Sequence, residues 1–264
     1  MSNDSVLKKN KKEREGLKFK SKYNENYITI DYKSTKKVLI EFENGYKKEY
    51  AWREVQSGNV INPYTITVCG VGFLGEGEYK KTINRKMTNI YIHWLGMLQR
   101  CYDNNEEKNP SYEDCTVCEE WHNFQNFAKW YEENYYEIEG EEMHLDKDIL
   151  CKGNKIYSPQ FCVFIPKRIN SLFTTSSSKK TEYPIGVYYH KQNNNLIVHC
   201  GIIENGKEKL KHLGYFPLNK PFQAFTCYKN FKEKYIKQVA NDYKDLIPPI
   251  VYNAMYNWEV EIND

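Results

Sequence analysis

No apolar run in these 264 residues approaches the roughly 20 residues that a helix needs to cross a bilayer. That removes helical membrane proteins from consideration, and no membrane partner is expected. The opening stretch MSNDSVLKKNKKEREGLKFKSK carries charges with no apolar segment behind them, so it does not read as a signal peptide. Eight cysteines without a secretion signal read as reduced thiols or metal ligands and not as a disulfide scaffold, and a cytoplasmic location is the expectation. The glycines of CGVGFLGEGEY, 69–79, lack the spacing of a nucleotide-binding loop between a strand and a helix, so this segment reads as a connector. A net charge of +3 excludes little by itself.

Aromatic residues are what the chain has in quantity, with 23 tyrosines and 12 phenylalanines. Rings bury large areas, so several small cores fit within this length, and tyrosine also offers stacking surface. Charge is unevenly placed. Lys8, Lys9, Lys11, Lys12, Arg14, Lys18, Lys20 and Lys22 crowd the amino end against Glu13 and Glu15. From 103 to 142 acids dominate, with only Lys108 and Lys129 opposing them, and lysines return from 179 onward. A basic arm and a basic carboxyl region suit phosphate contact, whereas the acidic middle does not.

The predicted organisation is a multi-domain α+β chain. Residues 1–22 lack apolar periodicity and read as a disordered basic arm. Residues 23–80 read as a small antiparallel β module, with a hairpin turn at Asn44-Gly45 and a third strand over 60–68. Residues 85–173 form a helical and ββα-containing domain. Its first helix, 89–101, buries Ile90, Trp94, Met97, Leu98 and Cys101, and its second spans 117–135. A polar linker is predicted at 174–182, followed by a carboxyl domain at 183–264 with three short strands and a helix that starts near Phe222.

Cys115 and Cys118 form a C-x-x-C pair, with Cys101 before the preceding loop and His122 just after. Zinc takes four such ligands in a tetrahedron, and this group is a candidate zinc site, with Cys151 and Cys162 as alternatives to His122. The same thiols equally suit core packing, because cysteine behaves as a small hydrophobe.

The stretch HLDKDILCKGNKIYSPQFCVFIPKRIN, 144–170, resembles the ββα-metal core of phage HNH endonucleases, a resemblance carried by Asp146, Gly153-Asn154-Lys155 and Asn170. It implies magnesium or manganese held by Asp146 and Asn170 and hydrolysis of a DNA phosphodiester. Two positions depart from the family: Lys147 replaces the general-base histidine, and Phe161 replaces the second-strand asparagine. A protonated lysine cannot take a proton from water. Strand alternation puts His144, Asp146 and Asp148 on one face, so His144 is the candidate base in its place. The candidate catalytic set is therefore His144, Asp146, Asp148, Asn154 and Asn170, and the alternative is that these polar groups only cap a turn.

Gly186-Val187, Leu213-Gly214-Tyr215-Phe216 and Phe222-Gln223-Ala224-Phe225 make residues 184–240 resemble the apetala-two (ethylene-response-factor) DNA-binding domain. That family lays a three-stranded sheet in the major groove of double-stranded DNA. Here the predicted DNA-facing set is Tyr188, His190, Lys191, His199, Lys207, Lys209 and Lys211, a composition better suited to phosphates than to guanine. A solvated lysine edge that guards against aggregation is the alternative. The expected function is a phage-type DNA-binding HNH-like protein, with site-specific endonuclease activity if the ββα segment is catalytic. The alternative is an inactive relative that binds and inhibits a host defence or nuclease complex through its acidic aromatic helix.

Overall fold

The computed structural model describes residues 3–103, 112–173, 182–204, 207–262 and 264, with side chains from residue 9 onward. The fold is mixed α and β, with small, mostly antiparallel sheets and seven α-helices among the described residues. By contacts the chain divides into one unit of Met1–Tyr79 with His122–Gln125 and a second of Lys80–Trp121 with Asn126–Asp264.

The first unit opens on helix α1 (Asn3–Arg14), where the sequence predicts a disordered arm. Among its described side chains, charged groups make the contacts. Lys9–Glu13 and Lys11–Glu15 pair one turn apart, and Lys11 reaches Asp31 at 3.0 Å. The Arg14 guanidinium stacks 4.9 Å from the Tyr32 ring and 4.8 Å from the Trp52 ring, a cation–π contact that composition does not announce. Strands β1 (Lys18–Lys20), β2 (Asn26–Ser34), β3 (Lys37–Phe42) and β4 (Lys47–Tyr50) follow as a meander in that order. The turn at Asn44-Gly45 is present, with Gly45 donating to the Phe42 carbonyl. Helix α2 (Trp52–Ser57) closes a core of Tyr27, Tyr32, Val38, Ile40, Phe42, Val55 and Val60.

The predicted strand at 60–68 is absent apart from a bridge between Val68 and Gly72. Asn62 makes a local turn there: its Oδ1 accepts from Tyr64 N, and its carbonyl accepts from Thr65 Oγ1. The glycine-rich connector is pinned by Gln125, which accepts from Tyr79 N and donates to the Leu74 and Tyr79 carbonyls.

In the second unit, hairpin β5 (Thr82–Ile83) and β6 (Lys86–Met87) leads to helix α3 (Asn89–Tyr102), capped by Thr88 Oγ1 accepting from Tyr91 N. Trp94, Met97, Leu98 and Cys101 are buried as expected, and Tyr91 takes the buried place expected for Ile90. The second predicted helix is shorter than its pattern. Thr116–Val117 is strand β7, Glu119–His122 is a 3-10 turn, and helix α4 runs Phe124–Asn134. Strand pairing wins over helical periodicity here, because β7 pairs in parallel with β9 (Ile156–Tyr157). Strand β8 (Met143–Asp146) pairs antiparallel with β10 (Val163–Pro166), which runs straight into helix α5 (Lys167–Phe173).

Residues 174–181 of the predicted linker lie outside the described residues. The elements on either side of it share one core, so separate 85–173 and 183–264 domains do not describe the packing. Ile169 and Leu172 of α5 pack with Ile236, Val239 and Ala240 of helix α6 (Pro221–Asp242) and with Val251 and Met255 of helix α7 (Pro249–Tyr256). Trp258 adds a ring contact of 4.4 Å to Phe173. Between α5 and α6 lies the predicted three-stranded sheet, β11 (Val187–His190), β12 (Asn195–Glu204) and β13 (Lys207–Phe216), antiparallel in chain order.

Candidate nucleic-acid interface and the ββα segment

In the ββα segment, the sequence places the five candidate residues close together but gives them different partners. Asp146 ends β8 and folds its Oδ1 back onto the next turn, accepting from the amides of Asp148 at 2.9 Å and Ile149 at 2.7 Å. Burial pushes its carboxyl up, partly offset by the Ile149 amide. Asn154 bridges the far side of the loop, donating to the Lys147 and Ile156 carbonyls. Asp148 lies beyond the strand, so alternation does not put it on the face of His144 and Asp146; its carboxylate is taken by Lys147.

Lys147 is 4% exposed. Its Nζ donates to both Asp148 oxygens at 2.9 and 2.7 Å and to the Asn154 carbonyl at 2.7 Å. Burial pulls its pKa down, but the hydrogen bonds and charge of Asp148 outweigh that and leave it above the ordinary lysine value. It is a fixed cation that cross-braces the loop and has no lone pair for water.

His144 meets Asn170 of α5, with Nδ1 3.2 Å from Nδ2, and its Nε2 is 3.3 Å from Glu142 Oε1. Lys167 holds the same Glu142 carboxylate at 2.9 Å, and the hydrogen bond from Lys167, then that from His144, keeps the Glu142 carboxyl below its usual range. Glu142 and Lys167 were not legible as members of this cluster, because the sequence pattern marks Asp146, two residues along the strand, as the partner of Asn170. An Asp146–Asn170 metal pair does not fit this arrangement well: Asp146 Oδ1 is committed to two amides and the Asn170 amide faces His144.

Among the cysteines, Cys101 and Cys115 are buried and Cys118 is half-buried, its thiol pushed up by burial. Cys115 and Cys118 flank β7, and the Cys118 amide donates to Tyr157. Cys162 is buried with its thiol pushed up in the same way, while Cys151 is exposed. His122 belongs to the first unit, where its carbonyl accepts from Phe73 N. Among the described residues, no group of three or more His, Cys, Asp or Glu side chains is placed to hold a metal ion.

The carboxyl sheet has two chemically different faces, and register decides which residue goes where. Val187, Leu196, Val198 and Cys200 are buried against Ala224, Phe225 and Tyr228 of α6. Cross-strand partners share a face. Cys200 pairs with Lys211, Ile202 with Lys209 and Glu204 with Lys207, so the three lysines have the parity of the helix-covered face, and Lys209 is in an ion pair with Glu204 at 2.5 Å. Tyr188, His190 and His199 have the opposite parity. The predicted DNA-facing set is thus divided between two faces, with Lys191 in the turn after β11.

The solvent face gains two residues that the sequence reading missed, His212 and Tyr215. His212 pairs with His199 and Tyr215 with Ile197. Leu213 is the extra residue of a bulge opposite the Val198/His199 step, and Gly214, at φ +150°, takes a backbone conformation that L side chains rarely adopt. Without that bulge Tyr215 would point inward. The resulting rings form a chain: Tyr188–His199 at 6.2 Å, His199–His212 at 5.5 Å, His212–Tyr215 at 4.7 Å and Tyr215–His190 at 5.6 Å between centroids. They leave Ile197, in their midst, only 8% exposed. Burial first, then the imidazoles of His212 and His190, hold His199 below the ordinary histidine value.

No protein-family model, no curated protein and no solved structure matches the chain.

Proposed function

We propose that this chain is a DNA-binding protein whose contact surface is the solvent face of the β11–β13 sheet, with the ββα segment serving as its scaffold. The observation that carries this reading is the five-ring face of Tyr188, His190, His199, His212 and Tyr215, braced from behind by α6. Tyr188 and Tyr215 stay about half exposed on the open side of a sheet whose other side is a core, which supports reading this face as a binding surface. Aromatic and imidazole groups suit bases and phosphates. The locked ammonium of Lys147 supports a scaffold role for the ββα segment, since it occupies the position of the expected base and cannot act as one.

Fluorescence anisotropy with labelled DNA tests the reading. The full chain should bind, and His212→Ala with Tyr215→Ala should weaken binding at least tenfold while the circular dichroism spectrum is unchanged. Undiminished binding in that variant would overturn the assignment of the face.

A second reading, a metal-dependent nuclease of the ββα kind, is favoured by the contact between His144 and Asn170. It requires nicking of supercoiled plasmid in Mg²⁺ or Mn²⁺ that EDTA abolishes and His144→Ala removes. The scaffold reading expects no such cleavage.

A further inference from the structure

Duplex and single-stranded DNA present different chemistry to a protein face. We propose that it takes single-stranded DNA, with unpaired bases lying flat on Tyr188, His199, His212 and Tyr215; the proposal deepens the DNA-binding reading above and rests on it. Sequence reading of a duplex needs side chains that present paired hydrogen bonds to base edges in a groove, above all arginine and lysine. The outward register positions of β11, β12 and β13 hold neither. Five of them present aromatic or imidazole rings. Tyr188 is 46% exposed and Tyr215 51%, so these rings have open surface. A base can cover such a ring only when its own face is free, and in a duplex both faces are covered by neighbouring base pairs. By analogy with four-stranded sheet platforms, such a ring set takes about two to three bases.

Charge on and around the face fits a phosphate backbone passing over it. The groups facing His199 are Tyr188 and His190 from β11 and His212 from β13, so that two further imidazoles and no carboxylate act on it. Burial, then the neighbouring His212 and His190, disfavours protonation of His199 in the empty protein, and an arriving phosphate favours it. Glu208 is the one acid at an outward position of the three strands. Lys207 and Lys211 are exposed along edge strand β13, on the parity opposite to the rings, where a DNA strand that passes over the edge of the sheet would come within their reach. Binding therefore tightens as pH falls through the imidazole range, whereas a lysine-only surface would be indifferent to that range.

The experiment titrates the full chain into a labelled 16-nucleotide mixed-sequence DNA strand, its duplex and the RNA strand of the same sequence, at pH 7.5 and 6.0. Expected are at least tenfold tighter binding of the DNA strand than of the duplex and several-fold tightening at pH 6.0. Each of Tyr188→Ala and Tyr215→Ala should weaken it by about tenfold, in line with the loss of one stacked base. Tyr188→Phe and Tyr215→Phe keep the ring and should retain binding, which separates stacking from any loss of fold. Duplex binding equal to or tighter than single-strand binding overturns this inference and leaves the DNA-binding reading intact. Alanine variants that bind as well as wild type, a preference for the RNA strand, or no pH response each overturn it. Failure to bind any of the three removes both readings.

Discussion

His199 and His212 stand opposite each other on β12 and β13 with ring centroids 5.5 Å apart, and the next pair along, Cys200 and Lys211, points to the other side of the sheet. One residue of parity separates an aromatic face from a lysine row. The two rows should therefore affect DNA binding in different ways. Changing Lys207, Lys209 and Lys211 together to alanine should lower the log–log salt slope by about one to two units, each phosphate contact on a single strand being worth about 0.7. Changing Tyr188 and Tyr215 to alanine should lower affinity by a similar factor at every salt concentration and leave the slope alone. Binding titrations from 50 to 300 mM salt distinguish the two patterns, and a slope change in the tyrosine variant would contradict the division of roles.

Gly186 is a point at which packing under the sheet is decided. It sits at φ +74°, and a Cβ there would lie 2.1 Å from Tyr228 Cδ2. Gly186→Ala combines a left-handed backbone penalty of about 1 kcal/mol with overpacking of about 1–3 kcal/mol. Urea unfolding should register a loss of about 2–4 kcal/mol. A loss under about 0.5 kcal/mol would mean that α6 does not press on the sheet there.

The loop of the ββα segment should respond to loss of hydrogen bonds and not to loss of charge on Asp146. Asp146→Asn keeps an oxygen for the Asp148 and Ile149 amides and removes a carboxylate whose ionised form burial disfavours. It should be neutral or stabilising at pH 7. Asp146→Ala should destabilise by about 1–2 kcal/mol. Lys147→Ala, which strands Asp148 and the Asn154 carbonyl, should destabilise by about 1–3 kcal/mol. Equal loss from Asp146→Asn and Asp146→Ala in thermal melts would assign Asp146 a role that depends on its charge.

A pH dependence follows from His199. Burial, then His212 and His190, hold its pKa below the ordinary value near 6.5, so folding favours the neutral ring. The associated stability is present above that unfolded value and is lost as pH falls through the folded one. The melting temperature should thus fall between pH 7 and pH 5 by more in the wild-type chain than in His199→Gln. Saturating single-stranded DNA should reduce the fall. Parallel curves for the two proteins would show that His199 titrates as an unperturbed surface residue.

Much of the secondary structure was legible from local pattern alone: the Asn44-Gly45 hairpin, the α3 stripe of Trp94, Met97, Leu98 and Cys101, and the three strands and helix of the carboxyl region. What could not be read depends on partners far along the chain. Helix α1 lacks an apolar face and is held by Asp31, Tyr32 and Trp52, residues that only the folded sheet brings to it. The 117–135 helical pattern loses its first turns because Val117 finds a strand partner in Tyr157. At the candidate site, residue types were legible and faces were not. Counting alternately from Lys207 groups the lysines correctly, but the hairpin register and the Leu213 bulge decide that they oppose His199 and that Tyr215 joins it. Gly214 was the one local hint of that bulge.

The most direct test of the DNA-binding face is photocrosslinking of the full chain to a single DNA strand carrying 5-iododeoxyuridine, followed by mass-spectrometric mapping of the modified residues. Stacked aromatic side chains capture this base from contact distance. The account predicts crosslinks at Tyr188, His199, His212 or Tyr215, lost on competition with unlabelled strand. Crosslinks confined to α1 or to the β1–β4 sheet, with none in β11–β13, would contradict it.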